Sequence, residues 1–276
     1  MIKTRSDLAN DLRRCGFSPG DHVVLHSSFK SLGPVAGGPD AIIDALLEVI
    51  GPAGNLMMPS FTYSAPCFKE PPFDVHRSPS RTGAVSETMR RRTKARRSFH
   101  PTHSVVALGP QAQALTADHP LASPMGKNSP LERMLQLNAK ILLLGTRQDS
   151  NSMIHYCETA AKVPYLRIPY TIGQDFETAW FINARGETET TQVLEIPGCS
   201  RGFGCLEPSL SKAGILRSVK VADAACQVLE SRALLEAILE LLTLQPCALL
   251  CQNPDCRICH RRRQTIPNSG LDQMIE

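Results

Sequence analysis

The apolar residues of this chain recur at two spacings, one typical of helices and one typical of buried strands. Apolar residues at helical spacing predict a first helix that runs to about Cys15, and residues 21–26 (DHVVLH) follow as a short strand. The same two patterns predict further elements: a helix over 39–50, a strand over 55–60, a helix over 82–94, a strand over 104–108 and a helix over 131–136. Strands that alternate with helices predict an α/β fold in which helices cover both faces of a sheet.

The strongest apolar run, residues 141–144 in KILLLG, predicts a strand that is buried on both faces. Polar residues 150–152 offer N-caps for a helix that begins near Met153. His155 and Glu158 are three residues apart and therefore share one face of that helix, just past the carboxyl end of the strand. Ligands of open α/β sheets bind at this edge, and an imidazole beside a carboxylate is a general-base arrangement. A surface ion pair is the alternative interpretation of the same spacing.

Polar residues also flank the other predicted strands and loops. His26, Ser27 and Ser28 end the first strand and lead into a glycine-rich loop (SSFKSLGPVAGG), whose backbone amides can bind an anion. The loop is neither a Walker loop nor a GxGxxG motif, so this signal is weak by itself. Further hydroxyls, a histidine and a loop glycine occupy comparable positions: Thr62, His103, Ser104, Gly126 and Ser129.

The last third of the chain changes to short alternating segments, FETAWFINARGETETTQVLEI, which predict a β-hairpin or meander around Gly186. Two helices are expected near 207–214 and 232–242, before a cysteine-rich tail over 247–263. No internal repeat is evident. The sequence therefore predicts a single domain over residues 1–276, with a β-rich insertion near 165–200.

Composition restricts location and partners more than it restricts the fold. The 276 residues are 42% hydrophobic but contain no apolar run of about 18 residues, so we expect no membrane span and no membrane partner. The charged N-terminus lacks the apolar region of a signal peptide, and we expect a cytoplasmic protein.

The one dense basic block, residues 90–97 (RRRTKARR), has no aromatic residues interleaved for base stacking. A helix end or a patch for an anionic cofactor is favoured over a nucleic-acid site, and no nucleic-acid partner is expected.

The cysteines are concentrated late in the chain, where six of the ten occur: Cys199, Cys205, Cys247, Cys251, Cys256 and Cys259. Cys256 and Cys259 form a CxxC pair, which can hold one side of a tetrahedral zinc ion. Cys251 would be a third ligand, and the fourth would come from Cys247, His260 or a distant cysteine. Reduced thiols without a metal are slightly favoured in a cytoplasmic protein. A structural zinc therefore stays open, and no metal ligand is assigned.

Several of these segments together resemble the antibiotic acetyltransferase family typified by aminoglycoside 3-N-acetyltransferase. The matching segments are LHSSFKSLGPVAGGPDAIIDALLEVIGPAGNLMMPSFT, FDVHRSPSRTGAVSETMRRR, RSFHPTHSVVALGPQAQALT, GKNSPLERML and ILLLGTRQDSNSMIHYCE. They occur in this order over roughly residues 20–165, and GCSRGFG looks like a segment of some members. The joint occurrence of the segments is far more specific than any one of them.

The resemblance implies a fold, a reaction and roles for the residues noted above. The fold would be a three-layer α/β/α sandwich around a mixed, largely parallel sheet, with a small appended β element. The reaction would transfer acetyl from acetyl-CoA to the 3-amino group of the 2-deoxystreptamine ring of an aminoglycoside antibiotic. His155 would be the general base, Glu158 would orient it, and His26 would be a second acid–base candidate. Residues at strand ends and in loops would bind acetyl-CoA: Ser27, Ser28, Thr62, His103, Ser104, Gly126 and Ser129.

The resemblance leaves the substrate and the assembly open. An aminoglycoside is a polycation, so its pocket should present carboxylates, and Asp149, Asp175 and Glu177 are near the right region. Cys157 points to a different helix face from His155, which favours core packing over a role as nucleophile. Two alternatives remain: an acyltransferase of the same fold that acts on another amine in biosynthesis, and a non-catalytic zinc-containing binding protein. The chain is expected to act as a monomer or a homodimer.

Overall fold

The computed structural model describes residues 2–266, in which the chain forms nine strands and nine α-helices. The strands are β1 (His22–Ser27), β2 (Asn55–Pro59), β3 (Arg96–Arg97), β4 (Val105–Leu108), β5 (Lys140–Leu144), β6 (Glu177–Ile182), β7 (Thr188–Val193), β8 (Arg217–Val221) and β9 (Ala224–Glu230). The helices are α1 (Arg5–Arg14), α2 (Gly38–Ile50), α3 (Ala84–Arg90), α4 (Ala112–Thr116), α5 (Pro130–Gln136), α6 (Ser152–Ala160), α7 (Glu207–Lys212), α8 (Ser231–Leu244) and α9 (Arg257–Gln264).

Seven of the strands form one sheet in the order β3-β4-β2-β1-β5-β9-β8. β1 pairs in parallel with β2 and with β5, and the four other pairs are antiparallel. The prediction of a mixed sheet is confirmed, but parallel pairing is confined to its three central strands. β8 and β9, which the sequence pattern does not predict, are joined by Ala222 and Asp223 alone, and so short a connection permits only antiparallel pairing.

The predicted three-layer architecture is confirmed by the alternation of side chains along the central strands. Val24, Ile141 and Leu143 pack into a core with residues of α4, α5, α6 and α8. Leu142 and Leu144 pack on the other face of the sheet with residues of α1, α2 and α3. All five side chains are 0% exposed, because helices cover both faces, and β5 therefore appears in the sequence as a continuous apolar run.

β6 and β7 form a separate two-stranded sheet within residues 165–200, where the sequence predicts a β-rich insertion. The proline-rich loop after β2 attaches to it through Phe73. The Phe73 N–H donates to Trp180 O at 3.0 Å, and the Ile182 N–H donates to Phe73 O at 2.8 Å. The predicted domain also includes residues 1 and 267–276, which lie outside the described part of the chain.

Two features of the structure bear on nucleic-acid binding and on membrane insertion. Arg90, at the start of the basic block over 90–97, pairs with Glu87 at 2.7 Å. Arg97, at its end, is mostly buried and donates to Ser60 O at 2.9 Å. These guanidinium groups have partners inside the fold, which argues against a nucleic-acid patch. Among the described helices, none combines the length and the apolar character that crossing a bilayer requires.

Candidate active site

A cleft of about 580 Å³ opens at the carboxyl ends of the parallel strands β1 and β2. His26 and Ser27 reach it from the end of β1, and Pro59 reaches it from the end of β2. The turn before α6 contributes residues 149–151, and α6 itself contributes Ser152 and His155. The cleft therefore lies at the edge of the sheet that the sequence pattern indicates.

α6 begins where it is predicted to begin, and its cap fixes the position of His155. Asn151 is the N-cap, and its side-chain oxygen accepts a hydrogen bond from the Met153 N–H at 3.1 Å. The Asn151 amide also donates to Gln148 Oε1 at 2.9 Å, and Gln148 Nε2 donates to Gln227 on β9 at 2.9 Å. The first turn of the helix is thus fastened to the sheet by buried amides, and His155 lies one turn further on.

His155, Glu158 and Tyr165 form a buried chain of hydrogen bonds beside the cleft. His155 Nδ1 lies 2.7 Å from Glu158 Oε2, and the Tyr165 hydroxyl donates to Glu158 Oε1 at 2.7 Å. A carboxylate only accepts, so the hydrogen of neutral His155 lies on Nδ1 and its lone pair on Nε2. Burial, and then the charge of Glu158, raise the pKa of Tyr165 above its usual value, which keeps its hydroxyl a donor. His155 is 8% and Glu158 2% exposed, which excludes the surface ion pair.

The other ring nitrogen of His155 is left to the cleft. His155 lines the cleft, and its Nε2 makes no hydrogen bond to any residue within 2–266. The ring of Phe203 packs edge-on against the imidazole, with 4.8 Å between ring centres, and restricts its rotation. This arrangement can accept a proton from a group bound in the cleft.

His26 lies in the same cleft, but one of its ring nitrogens is already bonded. Its Nε2 accepts a hydrogen bond from the Ser152 N–H at 3.0 Å and lies 3.1 Å from the Ser152 hydroxyl. Burial lowers the pKa of His26 to about 3, so the ring is neutral at physiological pH. A role as acid or base through Nε2 would require this bond to the first residue of α6 to break, and Nδ1 is buried without a hydrogen-bond partner among residues 2–266. The geometry instead favours His26 as a residue that positions the helix of His155.

His103 also lines the cleft and is held as a neutral ring. Its Nδ1 lies 2.7 Å from Thr102 Oγ1, and its ring packs edge-on against Phe61 and Tyr63, at 4.8 and 5.7 Å between ring centres. Burial, and to a lesser extent the neighbouring His155, lower the pKa of His103 to about 3. His103 can therefore contact a ligand only as an uncharged group.

Ser27 joins His103 in the cleft as the second of the seven residues predicted to bind acetyl-CoA. Its hydroxyl is buried and has no hydrogen-bond partner within residues 2–266. A buried hydroxyl without a partner costs free energy that a bound ligand can recover. Nδ1 of His26 is the other buried polar atom among the lining residues that has no partner within residues 2–266.

The other five predicted acetyl-CoA residues lie outside the cleft lining, and four of them use their polar groups within the protein. Ser28 accepts from Ser31 Oγ at 2.9 Å, Thr62 donates to Pro101 O, Ser104 donates to Ser60 O at 2.6 Å, and Ser129 accepts from the Glu132 N–H at 3.3 Å. Gly126 lies so close to Ser123 and Thr159 that a Cβ there would collide with both. These contacts account for all five residues without a ligand.

The cleft also contains a turn to which the sequence analysis assigns no role. Arg81, Thr82 and Gly83 precede α3 and line the cleft. The Thr82 hydroxyl donates to Pro59 O at 2.7 Å, which holds the turn against the end of β2. The available signal is the glycine that stands just before a helical pattern in SRTGAVSE, a position where backbone can approach a ligand closely.

Two of the three carboxylates that the sequence analysis names for a polycation line the cleft. Glu177 is buried and accepts from the N–H and the hydroxyl of Thr171, at 3.1 and 2.7 Å. Asp149 is exposed, and Asp175 lies outside the lining. Arg81, the one arginine among the lining residues, is paired with a glutamate at 2.7 Å, and no lysine is among them. The charge of the cleft therefore favours a cationic ligand.

Comparison with known proteins gives consistent matches. Residues 24–243 match a family model described as aminoglycoside 3-N-acetyltransferase. Among curated relatives, aminoglycoside N(3)-acetyltransferase VII of Streptomyces paromomycinus is 32% identical over 252 residues, which cover 83% of this chain and 88% of the relative.

Solved structures are similar over most of their length. Aminoglycoside acetyltransferase AAC(3)-IVa, as a histidine-to-alanine mutant in complex with gentamicin, superposes with a TM-score of 0.85 at 30% identity. That match covers 96% of this chain and 98% of the other. AAC-IIIb, in a binary structure with CoASH, superposes with a TM-score of 0.78 at 27% identity and covers 89% of this chain and 98% of its own.

Proposed function

The chain belongs to the aminoglycoside 3-N-acetyltransferase family, and we propose that His155 is the general base of its acetyl transfer. The donor is acetyl-CoA, and the acceptor is the 3-amino group of the 2-deoxystreptamine ring of an aminoglycoside antibiotic. The observation that carries the proposal is the 2.7 Å bond from His155 Nδ1 to Glu158, which leaves Nε2 to the cleft.

The proton of the amine determines what His155 must do. Near neutral pH an aliphatic amine is mostly protonated, and it attacks the thioester carbonyl only as the free base. The free base forms when the ammonium group loses one proton to water. As the C–N bond forms, the nitrogen becomes positively charged again, and His155 Nε2 takes a second proton from it. The C–S bond then breaks, and the released coenzyme A sulfur takes up a proton. Glu158 stabilises the imidazolium during this step, and Tyr165 holds the second carboxylate oxygen.

The Ser27 hydroxyl is the donor that best suits the oxyanion of the tetrahedral intermediate. Ser27 lines the cleft at the end of β1, and its hydroxyl is buried and has no hydrogen-bond partner among residues 2–266. The thioester oxygen becomes negatively charged during the attack, so a donor aimed at it is more valuable in the transition state than before it. The end of β1 thus supplies the oxyanion donor. The base comes from α6, the helix that follows the neighbouring parallel strand β5.

The charge of the cleft supports a polycationic acceptor. Asp149 and Glu177 line it, whereas Arg81 is paired with Glu70 at 2.7 Å. Carboxylates attract ammonium groups and repel anions. The same proton transfer would serve another amine, so the test must compare amines of different kinds.

Location and assembly follow from the same chemistry. None of the ten cysteines, which all lie within residues 2–266, forms a disulfide, which suits a reducing compartment, and we place the enzyme in the cytoplasm. A single chain contains the proposed base and oxyanion donor, so a monomer suffices for the reaction and a homodimer is compatible with it.

The test is turnover of the purified protein with acetyl-CoA and gentamicin, followed by thiol release and by the mass of the product. We expect gentamicin to gain one acetyl group, and NMR of the product should place it on the 3-amino group. Acetylation of simple diamines without acetylation of any aminoglycoside would favour the biosynthetic alternative. No thiol release with any amine would overturn the proposal.

A further inference from the structure

Four cysteine sulfur atoms converge outside the cleft. The Sγ atoms of Cys199, Cys251, Cys256 and Cys259 all lie within 4.8 Å of one another, and those of Cys199 and Cys251 are 3.6 Å apart. We call these four residues the cysteine cluster. They come from three segments: the loop after β7, the segment after α8 and the start of α9.

We propose that the cysteine cluster binds one zinc ion through four thiolates. Zinc prefers four ligands in a tetrahedron, and Zn–S bonds of about 2.3 Å place the sulfur atoms roughly 3.8 Å apart. The cluster is close to this spacing and contains no oxygen or nitrogen ligand, so it suits a soft metal ion. A binuclear or larger iron–sulfur cluster needs more space between its ligands, since several metal atoms and sulfides must fit among them.

The structure also completes the ligand set that the sequence leaves open. The sequence hypothesis has Cys251, Cys256 and Cys259 with an unidentified fourth ligand, and the structure supplies Cys199, 52 residues before Cys251. Cys205, in contrast, is exposed and its sulfur donates to Ala248 O at 3.5 Å.

Local structure prepares the CxxC pair for a metal. Cys256 is the N-cap of α9 and Cys259 lies in its first turn, so the two side chains are on one side of the helix end. Backbone N–H groups at a helix N-terminus favour thiolates over thiols. Cys251, Cys256 and Cys259 are at most 9% exposed, so the centre would be shielded from solvent on most sides.

The charge around the cluster is a second, independent argument. Arg262 is 1% exposed, and no carboxylate within residues 2–266 forms an ion pair with it. It packs against Gly198, the neighbour of Cys199, and Arg263 donates to Cys251 O at 2.6 Å. A buried cation without a counter-charge is costly. Zinc with four thiolates carries a net charge of −2, which provides the counter-charge.

The position of Cys199 connects the ion to the cleft. Cys199 lies between Gly198 and Ser200, which both line the cleft. The ion would therefore fasten one wall of the cleft to α9. This consequence rests on the proposed function, whereas the metal site itself does not.

The experiment measures zinc in protein purified without a histidine tag. We expect about one zinc per chain by elemental analysis, and we expect a mercurial reagent to release that zinc as it titrates four thiols. Cobalt-substituted protein should show the thiolate-to-cobalt absorption of a tetrahedral site. Iron in place of zinc, an intramolecular disulfide between Cys199 and Cys251, or folded metal-free protein would each overturn the proposal.

Matched variants assign the ligands. Cys259→Ser should lose most of the zinc and lower the melting temperature, while Cys205→Ser, in the same part of the chain, should keep both. In the folded fraction of Cys259→Ser we expect KM for the aminoglycoside to rise more than kcat falls. Normal zinc content in Cys259→Ser would refute the ligand set. If that variant does not fold, the mercurial titration of the unmodified protein decides, and neither measurement depends on activity.

Discussion

The active site and the cysteine cluster both order polar side chains away from water, but they do so by different means. In the proposed active site His155 and Glu158 have their partners in the protein, because Glu158 accepts hydrogen bonds from both His155 and Tyr165. In the cysteine cluster the four sulfur atoms lie next to one another, and thiols are weak hydrogen-bond donors and weak acceptors. Hydrogen bonds formed on folding are enough to order the side chains of the active site. The cysteine cluster, in the proposal above, is ordered by the zinc ion that it binds.

The two regions also differ in where their residues stand in the sequence. His155 and Glu158 lie on one helix, and the segments that frame them follow strands of the same sheet. Cys199 and Cys259 are separated by the whole of α7, β8, β9 and α8. Proton chemistry should therefore be confined to the first region and metal dependence to the second, and the following predictions test that division.

The largest effect is expected from His155→Ala. The variant loses the group that takes the amine proton, so kcat should fall by about two to four orders of magnitude, the usual contribution of a general base. Binding of acetyl-CoA, measured by calorimetry, should change little, and zinc content should not change. Steady-state kinetics with an aminoglycoside measure the effect.

The matched control is His76→Ala, because His76 is exposed and does not line the cleft. It should keep the activity of the unmodified protein. A folded His155→Ala protein with full kcat would remove the assignment of His155. A variant that also lost its zinc would show that the two regions are not independent.

The sequence could predict that His155 and Glu158 share one face of a helix, because this geometry is local. A buried strand, three N-cap candidates and a spacing of three residues suffice to place His155 and Glu158 on one face of α6. Tyr165 follows a turn after that helix, and its bond to Glu158 depends on how the chain folds back. No periodicity in the sequence indicates such a return.

The contacts that the sequence does not indicate depend in the same way on how distant segments fold together. Ser104 stands at a strand end, as Ser27 does, but its hydroxyl meets the carbonyl of Ser60 on another segment. Residue type cannot distinguish a hydroxyl that faces a neighbouring carbonyl from one that faces a ligand. β9 is not indicated by the sequence because AACQVLE has few β-branched residues and weak alternation. Cys199 could not be chosen from the sequence, since long-range pairing brings it to Cys251.

A smaller effect is expected on the free energy of unfolding at acidic pH, and it arises from two histidines that line the cleft. Burial lowers the pKa of His26 and of His103 to about 3, whereas an unfolded histidine titrates near 6.5. As pH falls from about 6.5 toward 3, the unfolded chain binds protons that the folded chain excludes, so the free energy of unfolding decreases. Each histidine should lower the free energy of unfolding by about 1.4 kcal/mol per pH unit, which corresponds to about a tenfold change in the unfolding equilibrium constant. Above pH 6.5 neither contributes a pH dependence.

Urea denaturation between pH 7 and 5 measures this slope. His103→Gln should reduce the slope by about one proton, whatever it does to stability at neutral pH. His76→Gln, at an exposed position, serves as the matched control and should keep the original slope. An unchanged slope in His103→Gln would contradict the inference that His103 is neutral because it is buried.

The smallest effect is expected from Tyr165→Phe, which removes one donor from Glu158 at a position that is not part of the cleft lining. Glu158 would keep its bond to His155, so the base would remain but would be oriented by one contact fewer. The loss of one such hydrogen bond corresponds to about 1 kcal/mol, and kcat should fall by about fivefold with KM unchanged. The control is Tyr156→Phe, which removes a comparable donor from Glu132 at 3.3 Å, away from the cleft. If both variants lost the same activity, the effect would be one of general stability. If Tyr165→Phe kept full kcat, the hydrogen bond from Tyr165 to Glu158 would make no contribution to catalysis.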